Sequence, residues 1–224
     1  CIAGLEVLAQ EQVATRLGQR GLKEREIVFH EILGDAYFEQ GEYKKAFDPY
    51  YVVLDLAEEL NLDPLFLSKI NIKLGDTADE EGLEIDQISK YYHQALDVLS
   101  GAPNSFEKSY REIHAEQLLA YICERQGDCE TVIPNLSYLL TRAQILGQVA
   151  ETEQQHEDLT KLILDIYNNM GISYGNRGFF NHSLPMFAKA IDLAEAKHNP
   201  RCTTFYLNMV DDLIRIGDFD RGLQ

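Results

Sequence analysis

Six histidines, four cysteines and 37 acidic residues are the groups in this 224-residue chain with chemistry to offer. Their spacing decides what kind. His30, His93, His114, His156, His182 and His198 are spread one per segment, without the i, i+4 pairing that a helix-borne metal site needs. Cys1, Cys123, Cys129 and Cys202 are too few for a disulfide framework and lack metal-ligand spacing. Gly-x-Ser-x-Gly, His-Glu-x-x-His, a phosphate-binding loop, a dinucleotide glycine fingerprint and Cys-x-x-Cys do not occur. The acidic stretch Asp76-Thr-Ala-Asp79-Glu80-Glu81-Gly-Leu-Glu84-Ile-Asp86 has carboxylates that attract a hard cation, but not the alternation of a calcium loop, and reads as a solvated turn. The expectation is a chain that binds instead of catalysing, with no enzyme activity, no metal and no cofactor.

Two cysteines stay open between readings. Cys123 and Cys129 flank a tight turn and take the positions that are Tyr37 and Tyr43 in an earlier segment, tyrosines expected to pack across their own turn. They either bond in an oxidising compartment or fill, as buried thiols, the space of two aromatics. Cys1 reads as a cut point or as a lipid-modified first residue.

Charge narrows the partners. Twenty Lys and Arg against 37 Asp and Glu leave a net charge of −17, a field that repels phosphate backbones and anionic headgroups. Nucleic acid is excluded as a partner of this segment, whereas a protein or peptide of basic character is favoured, alongside plain solubility. No apolar run reaches the eighteen residues of a bilayer span, so membrane insertion by this segment is not expected. The chain starts at Cys1 without methionine and stops at Gln224 shortly into what should be a helix, so both ends read as cut. Cytoplasmic and exported locations both stay open.

The elements that must carry these groups follow a repeat. A short residue and a glycine stand seven apart at Gly34/Gly41, Gly75/Gly82, Ala120/Gly127, Gly171/Gly178 and Val210/Gly217, Val210 being the bulky exception. The glycines are separated by 41, 45, 51 and 39 residues, so one supersecondary unit recurs. Around Gly41 apolar and small residues recur at i, i+3, i+4 and i+7, the period of two amphipathic helices broken by one turn. Gly41 takes the place of a left-handed helix stop, and Gly34 and Ala46 leave room for close helix approach. The Gly82 turn carries about one extra residue. Pro134 is expected in the first turns of its helix, where a missing amide proton does little harm. Asn61 to Pro64, Gly101 to Asn104 and His198 to Pro200 mark the second turn of each unit.

Small residue, Tyr three later, Gly four after that, aromatic two later, then small, aromatic and Ala on the next helix: this order resembles the tetratricopeptide repeat. The Gly34 and Gly171 units carry nearly all signature positions, the Ala120 and Val210 units about half, and the Gly75 unit shows a one-residue shift. Spacings above the standard 34 residues are similar to the long-repeat branch of kinesin light chains and bacterial regulators. The resemblance implies an all-α fold, a right-handed superhelix of stacked antiparallel helix-turn-helix hairpins. It divides the chain as a leading helix or cap at 1–21 (helical from Leu5 to Leu17), repeats at 22–62, 63–104, 105–150 and 151–199, and a truncated repeat at 200–224, all within one elongated array.

Mapping the family's inward positions gives a concave groove of Glu31, Asp35, Asp76, Gln117, Tyr121, Asn168 and Asp211, with Asn176 and Asn208 beside them. Lys and Asn clamp a terminal carboxylate in chaperone-binding members; Glu31 and Asp35 stand there instead and would repel one. The same acids suit an Arg- or Lys-bearing ligand. Amides such as Asn168, Asn176 and Asn208 can pair with a peptide backbone. The implied role is a peptide- or protein-binding scaffold, with the sensory or regulatory part of a larger bacterial signalling protein as the alternative. The unpaired final helix also suits a homodimer contact.

Overall fold

The structure, a computed structural model, describes residues 11–127 and 129–217, with side chains for 18–127 and 131–217. The chain is all-α, and the helices are α1 (Glu11–Glu39), α2 (Tyr43–Glu59), α3 (Pro64–Glu80), α4 (Ile85–Leu99), α5 (Phe106–Arg125), α6 (Cys129–Gly147), α7 (Glu153–Asn176), α8 (Phe180–Ala196) and α9 (Cys202–Ile216). The leading helix expected at Leu5–Leu17 falls largely outside the described residues. Its described end joins α1 across Gly18, whose backbone (φ 67°, ψ 166°) is not helical.

The helices divide between two compact units, one ending at Pro103 and the other beginning at Asn104. In the first, α1 pairs with α2 and α3 with α4, and α2 packs on α3. In the second, α5 pairs with α6 and α7 with α8; α6 packs on α7 and α8 on α9. Within each unit the hairpins stack side by side, each turning at a glycine of positive φ: Gly41 (72°), Gly82 (75°), Gly127 (79°) and Gly178 (76°), while Gly217 (81°) ends α9. At these φ values a side chain would strain against its own carbonyl, which is why glycine is reused there. The Gly82 turn is the longer one, four residues between α3 and α4 against three between α1 and α2. Caps sharpen other starts: Asp63 accepts from the Leu65 amide, and Thr152 and Gln155 form a reciprocal capping box.

The small residue seven before each turn glycine has a specific task. A Cβ on Gly34 would lie 2.5 Å from Cε1 of Tyr50, and one on Gly171 equally close to Cε1 of Phe187. Gly75 faces Tyr92 in the same way. Each first helix thus leaves a notch, and the second helix of its own hairpin fills it with a ring. Tyr50, Tyr92 and Phe187 are almost completely buried as a result, a burial worth about 1.5–3 kcal/mol for a side chain of this size. In the third hairpin both partners change together. Ala120 takes the place of the glycine and the wholly buried Leu136 that of the ring, so a larger notch residue meets a smaller wedge.

Two expectations change. Across the first turn the ring facing Tyr43 belongs to Phe38, with centroids 5.3 Å apart, and not to Tyr37, over which Lys45 lies instead. Pro134 does fall in the first turns of α6, as its sixth residue, just as Pro185 does in α8, but it lies past the four starting amides that have no helical partner. Its absent amide forgoes one helical hydrogen bond, to the carbonyl four residues back. The side chain of Cys129 lies outside the described residues, and with it the Cys123–Cys129 question.

Candidate functional site

The most developed polar site lies in the first unit, on α1 and α3. Asp35 follows Gly34 and Asp76 follows Gly75, so each carboxylate sits beside the notch that admits its hairpin's ring. The ring's hydroxyl reaches the acid: Tyr50 Oη donates to Asp35 Oδ1 at 2.7 Å, and Tyr92 Oη to Asp76 Oδ1 at 2.9 Å. In the fourth hairpin the residue after the notch is Ile172 and the ring is Phe187. Acid and hydroxyl therefore disappear together, which marks them as one device.

Lys73, two residues before the second notch, ties α3 to α1. Its Nζ donates to Asp35 Oδ1 at 2.6 Å and Oδ2 at 2.8 Å and to Glu31 Oε1 at 2.8 Å, and lies 5.7 Å from the centre of the Tyr50 ring. Lys69 also pairs with Glu31. Burial pushes the Glu31 carboxyl up, but the hydrogen bonds and charges of Lys69 and Lys73 outweigh it and hold the group below its ordinary value. The Tyr50 phenol is pushed up, by burial first and then by its bond to Asp35.

Asp35, Phe38, Glu39, Tyr50, Lys73 and Asp76 line a cavity of about 290 Å³. Asp76 is the strained member. Burial drives its carboxyl up to about 7, the Tyr92 bond opposes this, Asp79 and Glu80 add to it, and Lys73 pulls it back. An unfolded aspartate releases its proton near 3.8. Between those values the folded state keeps a proton that the unfolded chain has lost, so stability falls as pH rises from about 4 to 7. The slope is at most about 1.4 kcal/mol per pH unit. Asp76→Asn keeps the acceptor for Tyr92 and removes the charge. Thermal melts from pH 4 to 8 should show the variant more stable than the parent at pH 8, with the gap closing toward pH 4.

The second unit places its groove residues differently. Asn208 Nδ2 donates to Asn168 Oδ1 at 2.7 Å, linking α9 to α7. Asn176 Nδ2 donates to Glu124 Oε1 at 3.1 Å, and Ser173 Oγ to Glu124 Oε2 at 2.8 Å, linking α7 to α5. Tyr121 is half-buried under the Arg125 guanidinium (5.7 Å), and Asp211 is exposed on α9. Gln117 is only 4% exposed, so it presents little surface to a ligand. Asp212, beside the exposed Asp211, is 3% exposed; it accepts from Ser183 Oγ and pairs with Arg215 at 3.2 Å, over a backbone opening left by Gly175. The structure brings together Glu31, Asp35 and Asp76 in one unit and Asn168 with Asn208 in the other.

Sequence reasoning did not single out Lys73, Tyr50, Tyr92, Phe38 and Glu39 as site residues. The Gly-Asp pairs of the first two hairpins, each followed by Tyr at the wedge position where the fourth hairpin has Gly-Ile and Phe, carried the signal for two of them.

A chain built from notched helical hairpins of this kind is a helical repeat protein. Residues 163–201, from α7 through α8, match the family model described as tetratricopeptide repeat, and the solved structures it resembles are repeat proteins of that fold. BtubC (BKLC) from P. vanneervenii superposes with a TM-score of 0.69 at 18% identity, covering 95% of this chain and 80% of that one. Aspartyl phosphate phosphatase F from Bacillus subtilis gives a TM-score of 0.73 at 15% identity over 94% of this chain, which spans about half (51%) of that protein. A structure from Podosopora anserina described as kinesin light chain nearly identical TPR-like repeats gives 0.61 at 10% identity, covering 90% of this chain and 91% of that one. No curated protein sequence matches this chain. In fold it resembles these structures, and its α7–α8 hairpin carries the tetratricopeptide-repeat match. Among the described residues no helix is long and apolar enough to cross a membrane.

Proposed function

We propose that the chain is a protein- and peptide-binding scaffold that works by recognition and not by catalysis, its acidic first-helix surface receiving a partner of basic character. The observation that carries this is the α1–α3 face of the first unit, where Asp35, Glu39 and Asp76 surround a cavity with two aromatic rings in its wall. Stacked hairpins that leave polar side chains on their first helices offer an extended recognition surface. The tetratricopeptide match and the fold shared with other repeat proteins support the interaction role. Purified chain probed on arrays of random-sequence peptides should retain a subset enriched in Arg and Lys. Retention of none, or of acidic peptides only, overturns the reading.

A second reading has one specific support. The similarity to aspartyl phosphate phosphatase F runs over nearly all of this chain and about half of that protein, which fits a regulatory array attached to an output domain. Sequencing the gene on both sides of this segment tests it: an adjoining signalling domain supports the reading, and its absence overturns it.

A further inference from the structure

We propose that the α1–α3 cavity is a pocket for a single arginine side chain of the partner, the guanidinium lying between Glu39 and Asp76 against the rings of Phe38 and Tyr50. The inference rests on the scaffold reading and names the residue type that the surface selects.

The charges around the cavity are unevenly satisfied. Asp35 and Glu31 already share the ammonium groups of Lys73 and Lys69. Asp76 receives only the Tyr92 hydroxyl among the bonds described, and Glu39 enters no ion pair with a described residue. Beside these two carboxylates lies the open volume of about 290 Å³. Its remaining wall holds the rings of Phe38 and Tyr50 together with Lys73, whose charge Asp35 and Glu31 already offset. Tyr50 already faces one cation, Lys73, at 5.7 Å, so the ring's electrostatic preference is displayed within the chain itself. A planar guanidinium suits the space better than an ammonium, because it can pair with carboxylates at its edge while stacking on rings through its face.

The groups facing Asp76 are Tyr92 from α4, Tyr50 from α2, Asp35 and Glu39 from α1, and Lys73, Asp79 and Glu80 from its own helix. Burial above all, and then the neighbouring carboxylates of Asp79 and Glu80, raise the Asp76 carboxyl to about 7, with Lys73 already committed elsewhere. A guanidinium is a fresh counter-ion at that point. Its entry favours the carboxylate and expels the proton, so binding and ionisation are linked.

The test uses the full 224-residue chain, labelled for amide chemical-shift titration, and blocked pentapeptides Gly-Ser-Xaa-Ser-Gly with arginine, citrulline or lysine at Xaa. The expected result is that the arginine peptide shifts amides of α1 and α3 and binds about tenfold more tightly at pH 8 than at pH 6, the ratio of Asp76 carboxylate at the two values. Citrulline, the same shape without charge, should bind at least tenfold more weakly at pH 8, and lysine several-fold more weakly. Asp76→Asn, a variant expected to be the more stable at pH 8, should weaken the arginine peptide there and flatten the pH response. Equal binding of citrulline overturns the pocket, equal binding of lysine overturns the guanidinium assignment, and an unchanged pH response in Asp76→Asn overturns the linkage to Asp76. Array peptides without basic residues, together with no arginine effect here, would remove this pocket and leave a scaffold of other specificity. An arginine effect without array hits would do the reverse.

Discussion

Gly171→Ala is expected to destabilise the second unit by about 2 kcal/mol, although alanine is the better helix former by about 1 kcal/mol. The added methyl group would lie 2.5 Å from Cε1 and 2.7 Å from Cδ1 of Phe187, a ring with 1% exposure and no open side to retreat into. Either the ring leaves its rotamer or α7 and α8 separate, and both lose contacts that the buried ring makes on every side. The third hairpin shows what repairs the damage, since Ala120 there meets Leu136. Gly171→Ala combined with Phe187→Leu should therefore be more stable than the two single losses added together predict, by at least about 1 kcal/mol of coupling. Urea denaturation of the four proteins in the cycle measures this. Strict additivity would mean that notch and wedge are not a pair.

Lys73→Met should cost about 2 kcal/mol at neutral pH, because it removes the ammonium partner of Asp35 and one of the two of Glu31 while keeping most of the apolar stem. Glu31 retains Lys69, whereas Asp35 retains only the Tyr50 hydroxyl. The figure is set below that for a fully buried pair because Asp35 is 43% exposed and water screens it. The sign with pH is fixed by Glu31, whose carboxyl is held below its ordinary value by Lys69 and Lys73 despite burial. A depressed folded value contributes stability above the unfolded value of about 4.5 and loses it as pH falls. The gap between parent and variant should accordingly be widest above about pH 5 and close in stronger acid. Melting curves of both proteins from pH 3 to 8 check this, and a gap independent of pH would place the role of Lys73 in packing alone.

The fold was legible because its two signals are local and repeated. A turn glycine must be glycine for its φ, and a notch residue must be small for the ring opposite, so their seven-residue spacing survives even where the rest of the signature thins, as around Ala120. The extra residue at the Gly82 turn was visible for the same reason. Pro134 lies in the opening turns where its spacing puts it, but as the sixth residue it already has a carbonyl four back, so its missing amide carries a cost that the helix-start rule leaves out. The site was only partly legible. Glu31, Asp35 and Asp76 lie on first-helix positions that the repeat register identifies, and they do share one face. What the register cannot give is who satisfies them: Lys73 reaches Asp35 from 38 residues away and Lys69 reaches Glu31 from the same helix. The asparagines show the same limit. Asn168 and Asn208 read as free amides in sequence, and 40 residues apart they bond to each other.

In the described hairpins notch and wedge belong to one hairpin, whereas several polar bridges run between neighbouring first helices of one unit: Lys73 to Asp35, Ser173 and Asn176 to Glu124, Asn208 to Asn168. A hairpin moved elsewhere in such a chain would keep its notch and wedge but lose these bridges and its share of the core it builds with its neighbour. The order of neighbouring modules is thus written both in these hydrophilic contacts and in the apolar cores that run from one hairpin into the next. Engineers rearranging these cassettes would need to transplant those contacts as matched sets, or accept joints that tolerate any neighbour.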